Sequence, residues 1–300
     1  FAVNQAAYDE LSATKTQETD SPDGFSKSFK VLVSTEETTV AADEYANISY
    51  AIEGQDLQRL AYGTSSAKSF TLSFYVKSNV TGNFSVTAYK QTGSNKQQDR
   101  RYVINAANTW ERKTLTFVGD TAQVIVNNNT VGMYLYWHLG FGSTFGTDTY
   151  NASSGWTTYA NSGWGAGHDV ELLTTQNNYI QITGVQLEVG DTVTDFNHRS
   201  FAEELQLCQR YYAKSRNHDK YNGDSDRGGE VSFRGVKPGT SSMFQWYAFP
   251  VEMNHAPDIT TEGTAPNDIS STLIGTKGFR AGYTGDGTHY SFYYYADAEL

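Results

Sequence analysis

The stretch that decides the fold is Phe70-Thr71-Leu72-Ser73-Phe74-Tyr75-Val76-Lys77. Large apolar side chains occupy every second position, and polar or amphipathic side chains occupy the positions between them. A period of two places alternate side chains on opposite faces, which is typical of a strand with one face in a hydrophobic core. This stretch therefore predicts a half-buried β-strand.

The same alternation returns along the first two thirds of the chain and predicts further strands at Phe25–Val33, Trp110–Val118, Met133–Leu139 and Tyr179–Val189. A short β-branched run predicts another strand at Gln123–Val126. Phe84, Val86 and Ala88 follow the turn residues Thr81-Gly82-Asn83, so we expect them to form a hairpin with the strand at Phe70. Abundant Gly (27), Tyr (21) and Phe (16) with only 5 Pro indicates an all-β protein with many tight turns.

One segment has a helical pattern instead. Ser200-Phe201-Ala202-Glu203 fits a capping box, and apolar residues recur at helical spacing up to Tyr212, which predicts a helix over Ser200–Lys214. Cys208 lies on its apolar stripe and is interpreted as a buried small hydrophobe. We expect a β-sandwich over 1–198, a helical junction over 199–215 and a smaller β-domain over 216–300. That last domain begins with a polar, glycine-rich segment at 216–230, which is interpreted as a linker or a long turn. Its strands are predicted at Glu230–Val236, Met243–Val251, Ile259–Thr261, Ser271–Ile274 and Thr288–Tyr295.

Charge and cysteine content exclude several classes of protein. The net charge is −11 and the pI is about 5.0, which argues against broad electrostatic binding to nucleic acid or to an anionic membrane. A single cysteine allows neither an intrachain disulfide nor a cysteine-based zinc site. No apolar run approaches the ~20 residues that cross a bilayer. Phe1 is not preceded by Met, so we expect a fragment or a processed or trimmed product.

Several segments together resemble the distal part of tail-fibre and related receptor-binding structural proteins of bacteriophages, notably those of marine phages. The segments are 20–26 (DSPDGFS), 52–58 (IEGQDLQ), 67–78 (AKSFTLSFYVKS), 107–111 (ANTWE), 182–190 (ITGVQLEVG), 197–205 (NHRSFAEEL) and 208–212 (CQRYY). The C-terminal residues 296–300 (ADAEL) are also similar to the end of such fibres.

This resemblance implies an all-β chain: a jelly-roll-like β-sandwich similar to carbohydrate-binding modules, a short helix and a β-rich C-terminal tip. It also implies a homotrimer in the virion tail fibre, made in the host cytoplasm, that contacts other virion tail proteins and binds host surface glycan. The chain departs most from the pattern over 140–168 and after Ser215, where fibres differ in what they bind.

The sequence shows no catalytic signature. The Gly-x-Ser-x-Gly pentapeptide of serine hydrolases is absent, and no pair among the 33 acidic residues is marked as the carboxylate pair of a glycosidase. We therefore expect a non-enzymatic adhesin that needs no cofactor, with a polysaccharide depolymerase or a purely architectural virion protein as the alternatives. The six histidines do not have metal-ligand spacing. A structural calcium is possible, and Asp224–Gly228 resembles a calcium loop only slightly.

Sugars are gripped by exposed aromatic rings that act as platforms, with polar groups that fix orientation. Three places could supply such rings. In the strand at Met133–Leu139, we expect the alternate residues from Met133 to face the core. The opposite face then carries Tyr134, Tyr136 and His138, which form either a sugar platform or a ladder between strands or subunits. A stretch rich in Gly, Ser, Thr, Tyr and Trp over Gly140–Gly167 has no helical period and is interpreted as a surface loop. It contains Trp156, Tyr159 and Trp164, which either anchor a ligand or plug the loop onto the sandwich. Trp246, Tyr293 and Tyr295 lie in the C-terminal domain and either pack in its core or contact a receptor.

Overall fold

The computed structural model describes residues 2–6, 10–91, 93–217, 229, 231–234, 243–263, 269–283 and 289–299. The chain forms two compact units, Phe1–Asn197 and His198–Leu300. Residues 199–215, expected as a junction, belong to the second unit.

The first unit is a jelly-roll-like sandwich of two antiparallel sheets. In sheet order, the larger sheet contains β1 (Ala2–Ala6), β4 (Tyr45–Glu53), β9 (Val131–Phe141), β6 (Gly82–Lys90), β7 (Lys96–Ile104) and β10 (Thr157–Thr158). The smaller sheet contains β2 (Ser12–Glu18), β3 (Ser28–Thr35), β11 (Tyr179–Val189), β5 (Phe70–Ser78) and β8 (Glu111–Phe117). A short 3-10 helix covers Gly54–Leu60.

The core lies between these two sheets. Phe70 and Phe74 of β5 are completely buried, as is Trp137 of β9 in the facing sheet. The Phe74 and Trp137 rings meet edge to face with centroids 5.8 Å apart, and Phe70 stacks on Phe117 at 4.6 Å. The predicted strand at Phe70 and the inward orientation of the Met133 row are confirmed, because both strands bury their alternate apolar residues.

Two of the strand predictions are wrong. β5 and β6 do not form a hairpin: they lie in different sheets, so the connection after Ser78 carries the chain from one side of the core to the other. Gln123–Val126 is not a strand. Val124 and Val126 are exposed while Ile125 is buried, so this segment contributes one apolar anchor and pairs with no sheet.

The described residues of the second unit form the helix and seven short strands. Helix α1 covers Phe201–Gln209, with the predicted capping box between Ser200 and Glu203 in place. It ends earlier than predicted, because residues from Tyr212 onward pair with the last strand of the chain. The helix buries none of its residues, and Cys208 is exposed, so its predicted burial is wrong.

The described strands of the second unit form two antiparallel sheets. One contains β12 (Tyr212–Lys214), β13 (Val231–Arg234) and β15 (Asp258–Gly263), all paired with β18 (His289–Asp297). The other contains, in sheet order, β14 (Met243–Ala248), β17 (Gly278–Tyr283) and β16 (Ile269–Gly275). A small core around Phe279 and Phe292 includes residues of both sheets. Most of the predicted linker at 216–230 lies outside the described residues.

Candidate functional site

The outer face of the larger sheet carries a group of tyrosines from three neighbouring strands. Tyr45 lies on β4, Tyr134 and Tyr136 on β9, and Tyr89 on β6. The period of two that buries Leu135 and Trp137 turns Tyr134 and Tyr136 away from the core. Tyr134 and Tyr136 stack on each other, with ring centroids 5.5 Å apart and planes 13° apart.

The long loop after β9 folds back over part of this face. Trp164 is only 5% exposed and meets Tyr45 and His138 edge to face, with both centroid distances 4.7 Å. The N–H of Gly165 donates to Asp99 at 2.9 Å. Gly165 has a φ of +83°, and a Cβ there would lie 2.5 Å from the Phe141 ring, so only glycine fits.

An open cleft of about 370 Å³ remains between the loop and the sheet. We call it the aromatic cleft. Its lining combines six aromatic rings with two side-chain amides: Tyr45, Tyr89, Gln91, Tyr136, Phe145, Tyr159, Asn161 and Trp164. None of these described lining residues is charged.

The cleft offers two kinds of group to a ligand. Tyr136 and Tyr159 are half-buried, and Asn161 is exposed. Burial raises the pKa of Tyr136 above its ordinary value, so its hydroxyl stays protonated and can donate or accept. The Tyr159 hydroxyl already donates to Asn161 Oδ1 at 2.7 Å. Within the described part of the chain, no hydrogen bond uses the hydroxyls of Tyr89 or Tyr136.

A buried polar network lies beneath the tyrosine face. Thr87 joins Asp99 to His138, with its Oγ1 2.7 Å from His138 Nε2. Burial raises the pKa of Asp99 to about 7, and the hydrogen bonds from Thr87 and Gly165 lower it only in part. Burial also lowers the pKa of His138, so this ring is neutral. The network ties the loop to the sheet through a carboxyl group.

The structure brings together three of the nine predicted site residues in the cleft, namely Tyr136, Tyr159 and Trp164. Tyr134 lies beside them. His138 was expected on the same outward row, but the loop covers it completely, so it does not reach the surface. Trp156 covers the buried Lys90, whose ammonium group lies 4.5 Å from the ring centroid, and donates to Val118 O at 2.7 Å.

Sequence reasoning missed the other lining residues. Tyr89 could have been found, because the alternation of Phe84, Val86 and Ala88 places Tyr89 on the outer face. Gln91 and Asn161 carried no signal in the sequence. Asn161 is held at this face by loop hydrogen bonds, including those that its carbonyl accepts from the N–H groups of Gly146 and Trp164.

The three predicted site residues of the second unit, Trp246, Tyr293 and Tyr295, differ in their exposure and contacts. Tyr293 is buried, and the Arg216 guanidinium lies 3.6 Å from its ring centroid. The Tyr295 hydroxyl donates to Glu262 at 2.9 Å. Trp246, in contrast, is 52% exposed.

Within the described ranges, no three His, Cys, Asp or Glu side chains are grouped so that they could hold a metal ion. Asp224–Gly228, the weak calcium-loop resemblance, lies outside those ranges. In the described part of the chain, no helix is both long enough and apolar enough to span a membrane.

No protein-family model matches the chain, and no curated protein matches it. Among solved structures it is similar to the enzymatically active domain of tailspike protein 4 of bacteriophage CBA120, at 15% identity and a TM-score of 0.35. That match covers 63% of this chain and 19% of the other. A family 11 carbohydrate-binding module from Clostridium thermocellum matches at 8% identity and a TM-score of 0.31, covering 64% and 90%. The CBM22-1 xylan-binding domain of Paenibacillus barcinonensis Xyn10C matches at 10% identity and a TM-score of 0.29. That match covers 64% of this chain and 87% of the other.

Proposed function

We propose that this protein is a non-catalytic carbohydrate-binding protein and that its aromatic cleft binds a neutral glycan. The observation that carries the proposal is the lining of the cleft: aromatic rings and amides, with no charge among the described lining residues. Pyranose rings present flat C–H faces that pack on aromatic rings, and their hydroxyls pair with amides and tyrosine hydroxyls. A charged polysaccharide would find no counter-charge in this lining.

The same lining supports binding over cleavage. Glycosidases place two carboxylates on either side of the scissile bond, about 5–9.5 Å apart. The carboxyl group of Asp99 lies below the tyrosine face, where Thr87 and Gly165 already donate to it. It is 8% exposed and therefore badly placed to reach a sugar in the cleft.

The setting we propose follows the resemblance to phage fibres: a homotrimeric tail-fibre adhesin of the virion that binds host surface glycan and contacts other tail proteins. Weak single sites suit this role. Three copies in one fibre raise the effective concentration of each site, so that overall affinity exceeds the affinity of one cleft.

The experiment uses the full chain and a panel of neutral polysaccharides: xylan, mixed-linkage β-glucan, galactomannan and dextran. Affinity electrophoresis measures retardation by each polymer, and a reducing-end assay follows the same samples. Tyr136→Ala removes a ring from the cleft. Tyr50→Ala is the matched control, because Tyr50 is an exposed tyrosine of the same sheet that does not line the cleft.

We expect retardation by at least one polymer, lost in Tyr136→Ala and kept in Tyr50→Ala, with constant reducing ends. Thermal melting of both variants checks that they fold. A chain that no polymer retards would overturn the glycan proposal, and rising reducing ends would identify a depolymerase. Light scattering tests the trimer, which would have about 100 kDa, three times the chain mass of 33.2 kDa.

A further inference from the structure

A second aromatic surface lies on the sheet formed by β14, β17 and β16 in the second unit. Phe244 and Trp246 project from the edge strand β14 and are 55% and 52% exposed. The neighbouring positions of β17 turn Phe279 and Ala281 into the core, and Arg280 lies between them on the outer face with the two rings. We call Phe244, Trp246 and Arg280 the Trp246 platform.

Glycines form the floor of this platform. A Cβ on Gly278 would lie 2.8 Å from Cζ2 of Trp246, and a Cβ on Gly282 would lie 2.9 Å from Cε1 of Phe244. Real Cβ atoms do not come so close to a ring. Both rings therefore rest directly on the backbone of β17 and remain more than half exposed to solvent.

Two described contacts hold Arg280 in place. Its guanidinium lies 4.3 Å from the Phe244 ring centroid, and its Nε donates to Thr272 Oγ1 at 3.0 Å. Among the described residues no carboxylate pairs with it, although the chain carries a net charge of −11. Its terminal N–H groups are therefore available to an anionic ligand beside two open rings.

We propose that the Trp246 platform binds a hexuronate unit of an acidic polysaccharide. The C–H face of the pyranose packs on Trp246, and the sugar carboxylate pairs with the Arg280 guanidinium. Trp246 and Arg280 are register partners on adjacent strands, which places their Cβ atoms about 5 Å apart. A guanidinium matches the two oxygens of a carboxylate in a planar, bidentate pair. This proposal concerns a different unit and a different ligand charge, and it does not rest on the function proposed for the aromatic cleft.

A second copy of the chain is a less favourable occupant of this surface. A cyclic interface centred on the platform would bring the Arg280 side chains of the copies toward one another. Like charges brought together and desolvated repel, and the platform supplies no described carboxylate to offset them. A carboxylated sugar supplies that charge itself.

The test is isothermal titration calorimetry of the full chain, at low ionic strength, with tetramers of galacturonate, glucuronate and mannuronate. The methyl ester of each tetramer is the ligand control, because it keeps the ring and removes the charge. Trp246→Ala and Arg280→Gln remove the two contacts. Lys277→Gln is the protein control, since it removes an exposed cation next to β17 that lies off the platform.

We expect at least one tetramer to bind and its ester to bind about tenfold or more weakly, as losing a charge-assisted hydrogen bond implies. Trp246→Ala and Arg280→Gln should each weaken binding by a similar factor, and Lys277→Gln by less than about twofold. Tyr136→Ala should leave hexuronate binding unchanged, which separates this site from the cleft. The proposal is overturned if no tetramer binds, if esters bind equally well, or if Trp246→Ala lowers the molar mass of an oligomer.

Discussion

The aromatic cleft and the Trp246 platform use the same residue types in opposite ways. In the cleft, Trp164 packs edge to face against Tyr45, Tyr136 and Phe145, so much of its ring surface is covered by other rings. On the platform, Trp246 and Phe244 rest on glycine backbone and leave more than half of their surface exposed. The cleft lining is uncharged among the described residues, whereas the platform holds a guanidinium.

This difference separates structural from ligand-binding use of aromatic residues. Where rings pack on one another, removing one lowers the free energy of unfolding, because its neighbours then line a cavity. Rings that rest on glycine backbone contribute little to the stability of the fold, because the backbone beneath them is already hydrogen-bonded in the sheet. Matched substitutions in the two regions should therefore differ in stability while both affect binding.

The largest effect is expected from Trp164→Ala compared with Trp246→Ala. Trp164→Ala should lower the free energy of unfolding of the first unit by about 3–5 kcal/mol, the usual range for a buried tryptophan. Trp246→Ala should change the stability of the second unit by less than about 0.5 kcal/mol, as exposed substitutions do. Scanning calorimetry measures both. Equal losses would remove the distinction drawn between the two regions.

The next effect concerns pH and Asp99, which ties the cleft loop to its sheet. The pKa of Asp99 is raised from 3.8 to about 7, chiefly by burial; the nearby Asp148 also raises it, while Arg100 lowers it. At pH values between 3.8 and 7, the Asp99 carboxyl is ionised in the unfolded chain but keeps its proton in the folded chain. This group therefore favours folding below pH 4, and its contribution is lost as the pH rises toward 7.

Asp99→Asn removes this titration and keeps an oxygen that can accept from Gly165. Relative to the variant, the natural chain should lose stability by about 1.4 kcal/mol per pH unit across this window. Urea unfolding at pH 4, 5.5 and 7 measures the difference. Both proteins keep His138 and His168, whose lowered pKa values act in the opposite direction and largely cancel in the comparison. A difference that stays constant with pH would contradict the assignment.

A smaller effect separates the hydroxyls within the cleft. Tyr136→Phe should weaken binding of the retained neutral polysaccharide about 3–10-fold, because a ligand hydrogen bond is lost. Stability should hardly change, since no described group pairs with that hydroxyl. Tyr159→Phe is the comparison: its hydroxyl donates to Asn161, so its loss also frees a cleft amide. If Tyr136→Phe bound as well as the natural chain, only its ring would contact the ligand.

The sequence predicted which side chains face the core better than which strands are neighbours. Alternation alone placed Phe74 and Trp137 inward and Tyr136 outward, and the structure confirms all three. The same alternation cannot distinguish a hairpin from two strands on opposite sides of one core, so β5 and β6 were wrongly paired. The face of the sheet on which a side chain lies is a local property of the chain, whereas the pairing of strands depends on contacts between residues distant in sequence.

The candidate sites follow the same division. Tyr136 and Trp246 could be named from the sequence because aromatic residues at exposed strand positions stand out. The covering of His138 depends on a hydrogen bond between Gly165 and Asp99, which are 66 positions apart. The glycine floor under Trp246 depends on the register between β14 and β17. Neither long-range arrangement leaves a local pattern in the sequence.

The smallest expected effect tests that floor directly. In Gly282→Ala the new methyl group would lie 2.9 Å from the Phe244 ring and 2.7 Å from Ser270 Oγ, so the ring must tilt away. Gly275→Ala is the matched control on the same hairpin, because its methyl group would meet only the Gly278 oxygen, at 4.0 Å. We expect Gly282→Ala to weaken hexuronate binding about 2–5-fold with a stability change below about 1 kcal/mol, and Gly275→Ala to leave binding unchanged. Since Arg280 and Trp246 are intact in both variants, a loss confined to Gly282→Ala would show that Phe244 holds the guanidinium where the carboxylate needs it. Equal binding by the two variants would reduce the platform to Trp246 and Arg280 alone.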